Sequence, residues 1–336
     1  MQVSEIDEFK LINRLSNLVK SNSSKIELGI GDDGAVINNQ NDQQTIITTD
    51  MLIEGTHFLK DKVSPFQLGY KSLAVNISDI VAMGGRPTYL TISLGLPKST
   101  TVKYIEGIYN GINNLAQEYK ISVIGGDTTS SPNDLVININ LLGEVPKGEY
   151  ISRSNAQVGD SILVTGNLGA SKAGLEILLS ANYQELKEEY PTLIKKHLEP
   201  QPRLSEMQLT KKQFNITSMN DISDGLASEL HEITSASKVG SLIYEEMIPI
   251  SHSTKELAQN LNKSALDYAL FGGEDYELLF TIPAPQSQKV KEKIKTELDT
   301  QISIIGEITT LDKGVNLIKE DGKGKVKIKK QGYNHF

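Results

Sequence analysis

Hydrophobic positions along the chain change period several times, and each change marks an element. Over residues 4–20, Ile6, Phe9, Leu11, Ile12, Leu15, Leu18 and Val19 recur at helical spacing behind Ser4, which predicts a capped amphipathic helix that packs on the rest of the fold. Ala35-Val36-Ile37, a polar stretch and the β-branched run Thr45-Ile46-Ile47-Thr48-Thr49 then read as strand, turn, strand. Ser64-Pro65 combines an N-cap residue with proline at the first helical position, so a helix is expected from there to about Met83, ahead of Gly84-Gly85-Arg86-Pro87. Within it Ser72, Asn76, Asp79 and Met83 fall on one stripe, and Asn76 and Asp79 point the same way. Strands follow at about 88–96, 121–126 and 135–144, with a helix near 101–119. The Pro/Gly-containing connector Glu144-Val145-Pro146-Lys147-Gly148-Glu149 sets an expected domain boundary, giving residues 1–147 and 148–336. Beyond it come a buried strand at 161–166, a helix near 170–180, a polar helical stretch to about His197, a strand at 216–220, a helix at 224–236, a strand at 241–246, a strand at Leu278-Leu279-Phe280 and further alternation to about 308. Both domains therefore read as mixed α/β, without internal repeats. The tail lysines Lys323, Lys325, Lys327, Lys329 and Lys330 alternate with small and apolar residues, as in a solvated edge strand.

Composition narrows the function classes. With 38% hydrophobic and 23% charged residues over 336 positions, the chain is a folded globular protein long enough for two cores. A net charge of −8 disfavours nucleic acid or an anionic membrane as partner. The acidic N-terminus and the absence of any run of about 18 apolar residues make the cytoplasm the expected compartment. Zero cysteines excludes disulfides, thiolate metal sites and cysteine nucleophiles.

The candidate chemistry lies in short acidic segments: Gly29-Ile30-Gly31-Asp32-Asp33, Thr48-Thr49-Asp50, Ser78-Asp79, Gly125-Gly126-Asp127 and Asp221-Ile222-Ser223-Asp224-Gly225. Each reads as a turn with carboxylates beside glycine or hydroxyl residues, where a hard cation such as Mg²⁺ can reach oxygen ligands. Gly29, Gly31 and Gly34 also spell G-x-G-x-x-G, but a dinucleotide fingerprint must open a helix, and this one runs into a strand. No kinase catalytic loop or P-loop follows. Acidic loop residues are commonly just solvated. Several of these, however, adjoin apolar strand-like runs that would hold them rigidly, as phosphoryl transfer requires. Read this way, the residues describe a Mg²⁺–nucleotide enzyme. Arg153 is then a surface charge or a phosphate clamp, and His57 a base, a ligand contact or a plain loop histidine.

Together with Glu54-Gly55-Thr56-His57-Phe58, Leu73-Ala74-Val75-Asn76-Ile77-Ser78-Asp79 and Gly272-Gly273-Glu274-Asp275-Tyr276-Glu277-Leu278, these segments resemble the thiamine-monophosphate kinases, essentially from end to end. The resemblance implies the two-domain fold of aminoimidazole ribonucleotide synthetase. It also implies a homodimer through the N-terminal sheet, and transfer of the γ-phosphoryl of ATP to thiamine phosphate. Carried over by position, it makes Asp33, Thr48, Thr49, Asp50, Asp79, Asp127 and Asp221 ligands of several Mg²⁺ ions, with Asp224 holding a further one. It gives Tyr109, Gly126, Asp127, Arg153 and Ser223 to the nucleotide, and His57, Glu274 and Tyr333 to thiamine phosphate. Asp50, Asp127 and Arg153 would carry the catalysis. Gly34 and Asn155 depart from the residues usual in the family, and neither removes a ligand. Two phosphorylated substrates among these aspartates require cations and Arg153 for charge balance. The acceptor phosphate is already largely ionised at neutral pH, so His57 is read as a substrate contact and not as a base. Related enzymes built on reactive sulfur or selenium do not suit a cysteine-free chain. An aminoimidazole ribonucleotide synthetase and a binding protein without turnover stay as rivals, separated by ADP formation with thiamine phosphate.

Overall fold

A computed structural model of the chain describes residue 5 and residues 8–19, 23–39, 42–319 and 324–332. The N-terminal sheet contains β1 (Ile26–Leu28), β2 (Ala35–Asn38), β3 (Gln43–Ile53), β4 (Arg86–Pro97), β5 (Ser122–Ser131) and β6 (Val136–Pro146), ordered β1-β2-β3-β6-β4-β5. Only β4 and β5 pair in parallel, joined across α3 (Val102–Tyr119). One face of this sheet is covered by α2 (Pro65–Ala82) and α3. The C-terminal sheet, ordered β13-β12-β9-β11-β7-β10-β8, contains β7 (Asp160–Thr165), β8 (Ser218–Asp221), β9 (Gly240–Tyr244), β10 (Leu278–Pro283), β11 (Ile302–Thr309), β12 (Val315–Ile318) and β13 (Lys325–Lys327). Its helices are α4 (Ala170–Leu179), α5 (Tyr183–Glu189), α6 (Pro191–Leu198), α7 (Leu204–Gln213), α8 (Leu226–Ser237), α9 (His252–Asn260), α10 (Ala265–Phe271) and α11 (Ser287–Leu298), while α1 (Glu8–Ser16) precedes both sheets.

α2 is the centre of the molecule. Ser64 and Gln67 form a reciprocal capping box at its start, as the Ser-Pro signal indicated. Its residues are buried almost all round, because α3 and the N-terminal sheet cover one side and the C-terminal unit covers the other. One apolar cluster accordingly runs from Ile46, Leu73, Ile77 and Ile108 through to Ile177, Leu193 and Phe280. A second, around Ile162, Leu230, Ile243 and Ile305, lies on the other face of the C-terminal sheet. The Gly-x-Gly-x-x-Gly segment does enter strand β2 and not a helix.

Three expectations are corrected. Thr48-Thr49-Asp50 and Gly125-Gly126-Asp127 lie inside β3 and β5 and are not turns; β5 runs on to Ser131 through β-branched Thr128 and Thr129. The amphipathic α1 leaves Ile12, Leu15, Leu18 and Val19 exposed, so its apolar side is not packed on the described residues of this chain. Its proposed Ser4 cap lies outside the described residues. The polar stretch before His197 is two helices, broken at Tyr190-Pro191, and α7 was not anticipated. The edge strand β13 is solvated, as the lysine alternation suggested.

α2 and α3 approach so closely that a Cβ added to Gly69 would stand 1.9 Å from Ile108 O, and one added to Gly111 would stand 2.0 Å from Phe66 O. Gly69→Ala is expected to destabilise the protein by about 1–3 kcal/mol through overpacking, despite alanine's better helix propensity of about 1 kcal/mol. Urea midpoints would check this; a variant as stable as the parent would contradict the close approach.

Candidate functional site

The site begins where α2 passes beneath β3. Thr48 Oγ1 donates to Asp79 Oδ2 at 2.5 Å, and the Asp50 amide donates to Asn76 Oδ1 at 3.1 Å, so the predicted Asn76–Asp79 stripe faces the strand. From the C-terminal unit, Asp221 at the end of β8 accepts from Ser78 Oγ at 2.5 Å. Asp33 arrives from the glycine loop between β1 and β2. Carboxylate oxygens of Asp33, Asp79 and Asp221 thereby lie within 4.8 Å of one another. At an effective dielectric of ~20, each ionised pair at that range repels by about 3 kcal/mol or more, and the three pairs together rival the stability of a whole domain.

The titration of these groups reflects that strain. Burial raises Asp33 and lifts Asp79 well above the ordinary carboxylate range, with Asp50 and Asp221 adding to the shift of Asp79. Burial, then the charge of Asp33, pushes Asp50 up to about 6; burial and Asp33 push Asp221 up to about 8, against the Ser78 hydrogen bond. Asp33 Oδ2 and Asp221 Oδ1 are buried and have no hydrogen-bond partner among the described residues. Oxygen-only donors, mutual repulsion and unpartnered lone pairs fit a hard divalent cation.

Arg153 bounds the cluster. Its backbone amide donates to Asp32 Oδ2 at 3.1 Å, Nε donates to Asn220 Oδ1 at 3.1 Å, Nη1 donates to Glu232 Oε2 at 3.4 Å and Nη2 donates to Asp33. Burial alone would lower its pKa; Asp33, Glu229 and Asp32 outweigh that and hold it charged. Behind it, buried Glu229 accepts from Asn220, from the Asp224 amide at 3.1 Å and from Ser223 Oγ at 3.5 Å. Ser223 and Asp224 are thus tied into the same network as Arg153. Asn220 and Glu229 were not among the sequence candidates, and Asp32 and Ser78 stood in the acidic segments without an assigned role. Asp32 and Ser78 adjoin assigned aspartates within the same segments, whereas nothing in the sequence pattern marks Glu229.

On the opposite side, His57 Nδ1 accepts from the Ile53 amide at 3.0 Å in the turn after β3. The Glu274 amide donates to Ser223 O at 2.6 Å and the Tyr276 amide donates to Ile222 O at 2.9 Å, so the Gly272–Glu277 loop lies back to back with the Asp221–Asp224 turn. Tyr333 lies outside the described residues. Its predecessor Gly332 runs so close to α8 that an added Cβ would stand 2.6 Å from Asp224 O.

The remaining candidates are not brought to the cluster. Side chains alternate along β3, so Thr49 projects from the face opposite Thr48 and Asp50, where Asn138 Nδ2 donates to its hydroxyl at 2.9 Å. Asp127 pairs in register with Ser93 and projects from that same outer face. The row Asp50–Ile139–Ile92–Gly126 crosses three strand spacings, roughly 14 Å along the sheet. Gly126 is also required by packing, since an added Cβ would meet Ile92 O at 1.9 Å. Tyr109 lies exposed on α3.

Comparison with known proteins identifies relatives of this chain over its whole length. Residues 31–145 match the family described as AIR synthase related protein, N-terminal domain, and residues 157–317 match its C-terminal domain. The thiamine-monophosphate kinase of Bacillus subtilis (strain 168) is 40% identical over 332 residues, covering 98% of this chain and 100% of that protein. The thiamine-monophosphate kinase of Escherichia coli (strain K12) is 39% identical over 329 residues, 98% of each. The solved structure described as "AaThiL complexed with AMPPCP and TMP" has 34% identity and a TM-score of 0.84, covering 100% of this chain and 99% of that one. A full-length match of sequence and fold establishes that the chain belongs to the thiamine-monophosphate kinase family.

Proposed function

We propose that this chain transfers the γ-phosphoryl of ATP directly to thiamine phosphate, giving thiamine diphosphate and ADP, with the Asp33, Asp79 and Asp221 carboxylates as its cation centre. The observation that carries the reading is the convergence of buried, mutually repelling carboxylates with unpartnered oxygens beside Arg153. Asp33, Thr48, Asp50, Asp79 and Asp221 would hold Mg²⁺, with Asp224 at the rim. Bound Mg²⁺ supplies charge neutralisation between the aspartates and the phosphates of both substrates. Arg153, held by Asp33, Asp32 and Glu232 in the free protein, is positioned to exchange a carboxylate for phosphate oxygens as substrate enters. Ser223 lies in the same network and would touch the nucleotide. His57 and Glu274 would contact the acceptor, with Tyr333 following the tail at Gly332. Cysteine is absent and the aspartates are assigned to metal, which supports in-line transfer without a phosphorylated enzyme.

Thr49, Tyr109, Gly126 and Asp127 lie outside the cluster of one chain. The outer face of the N-terminal sheet exposes Met51 and Tyr89, and the β5 edge exposes Val123 and Ile124, which supports a homodimer that covers this side and brings Asp127 and its neighbours to nucleotide and metal. A native mass equal to one 36.9 kDa chain would remove this reading. No described helix is long and apolar enough to cross a membrane, and we assign the enzyme to the cytoplasm.

ADP release from MgATP that depends on added thiamine phosphate tests the activity. Asp50→Asn and Asp79→Asn are each expected to slow it on the order of 10²-fold or more, and near-parental turnover in both would refute the assignment of the centre.

The metal-free protein should also reveal the strained carboxylates. Native pKa values of about 6 for Asp50 and about 8 for Asp221 stand above the ordinary value of 3.8. Their contribution to stability is therefore full below about pH 4 and is lost as pH rises through about 6 to 8. In the presence of chelator, the melting temperature is expected to fall from pH 5 to pH 8, and Mg²⁺ should restore more of it at pH 8 than at pH 5. A chelated melting temperature that is flat or rising over this range would count against the buried cluster.

A further inference from the structure

Beneath the Gly272–Glu277 loop, between the two units, Glu274 is joined to a buried polar cluster whose other members have been given no role. Lys71, on α2, has a side chain only 3% exposed, and its Nζ donates to Glu274 Oε1 at 2.8 Å. The same Nζ stands 3.5 Å from His197 Nε2, on α6. His197 Nδ1 lies 3.0 Å from Ser171 Oγ and 3.4 Å from Glu274 Oε2. Burial first, then Lys71, pushes His197 down to about 3, so its ring is neutral at neutral pH. With Lys71 donating to Nε2, the ring proton is assigned to Nδ1, facing Glu274 and Ser171. Both Glu274 oxygens therefore meet donors from behind, while the side chain stays 30% exposed. Burial would raise the Glu274 pKa; the charge and hydrogen bond of Lys71 outweigh it and keep the group an ionised, acceptor-only carboxylate.

The backbone beneath that carboxylate is strained and clamped. Glu274 and Tyr276 have φ of +58° and +49°, left-handed values unusual for side-chain-bearing residues. On one side of Glu274, Gly273 passes so close to the metal-side turn that an added Cβ would stand 2.6 Å from Ser223 O. On the other side, Asp275 accepts from the amides of Gly169 at 2.6 Å and Ser171 at 3.1 Å, at the start of α4. Glu277 accepts from Arg203 Nε and Nη2, each at 2.6 Å, and from Thr165 Oγ1 at 2.6 Å. Strain of this kind persists only where the surroundings over-determine it, and it clusters at ligand clamps. The anchors on either side of Glu274 fix its backbone, and Lys71 and His197 fix its carboxylate.

We infer that Lys71, backed by His197, is a positioning residue for the acceptor substrate, holding the Glu274 carboxylate in the orientation that receives the cationic, amine-bearing end of thiamine phosphate. The inference rests on the reading of Glu274 as an acceptor contact. It differs from a plain inter-unit ion pair in what it demands of kinetics: loss of Lys71 acts on the acceptor alone, and only through Glu274.

The test is a double-mutant cycle on the full chain with MgATP and thiamine phosphate, comparing the parent, Lys71→Met, Glu274→Gln and the double variant, each checked by thermal melting. Lys71→Met is expected to raise the KM for thiamine phosphate about tenfold or more, with the KM for MgATP within about twofold, a shift too small to represent a lost hydrogen bond to a charged group. Glu274→Gln should do the same, and the double variant should be no worse than Glu274→Gln alone. The inference is overturned by an unchanged acceptor KM in Lys71→Met, by equal rises for both substrates, or by effects that multiply in the double variant. A parental acceptor KM in Glu274→Gln removes the reading of Glu274 and the inference with it, whereas a raised KM there beside a parental one in Lys71→Met removes the inference alone. If Lys71→Met melts below the assay temperature, Lys71→Gln, which keeps a donor without the charge, is judged by the same criteria.

Discussion

Negative charge concentrated in a largely buried space is the condition around which this molecule is organised. Asp33, Asp221 and Glu229 face the buried guanidinium of Arg153, Asp50 and Asp79 crowd against the same aspartates, and each of the five carboxyls is pushed upward first by burial. A chain with a stability of about 5–15 kcal/mol cannot hold several such groups ionised without counter-charge. The apolar packing around α2 therefore offsets a cluster that opposes folding unless counter-charge is supplied. Strain of this sign is usual where binding is meant to be strong, because the relief is realised only when the ligand is present.

How much of this was legible in the sequence depended on whether a local signal coincided with a tertiary one. The Ser64-Pro65 start of α2 was readable because capping is a local hydrogen-bond problem, and the Asn76–Asp79 stripe was readable because helical spacing alone determines it. Glycine beside aspartate in Gly125-Gly126-Asp127 was misleading: the glycine there answers to the nearness of Ile92 O across the sheet, a contact invisible in one strand's own pattern. The acidic segments identified the chemistry but not its distribution over two faces, since that follows from the register of β3, β6, β4 and β5. Lys71 carries no local signal at all, because a lysine on a helix normally extends its charge to water.

The two substrate sides of the site share backbone. Ser223 O accepts from Glu274, Ile222 O accepts from Tyr276, and Ile222 in turn donates to Glu277 O. The turn carrying Asp221, Ser223 and Asp224 and the loop carrying Glu274 are consequently one braced unit. Under the proposed function, the side chains that would meet nucleotide and metal are thereby fixed relative to the one that would meet the acceptor, which is the alignment that direct transfer between two bound phosphates needs.

The position of α2 also limits how the enzyme can open. Gln67 donates to Glu199 at 3.0 Å, Ser78 to Asp221 at 2.5 Å, and Lys211 to Gly84 O at 3.0 Å, while Tyr119, next door on α3, donates to Pro202 O at 2.9 Å. These bonds cross between the two units along the whole length of the helix, among side chains of one continuous apolar cluster. Swinging one unit away from the other would break them together, at about 0.5–1.5 kcal/mol each, and would expose the shared apolar cluster to water. Access to the site is therefore a matter of local movement at its rim over a rigid interior, on the fast timescale of loops and not the slower one of hinged domains.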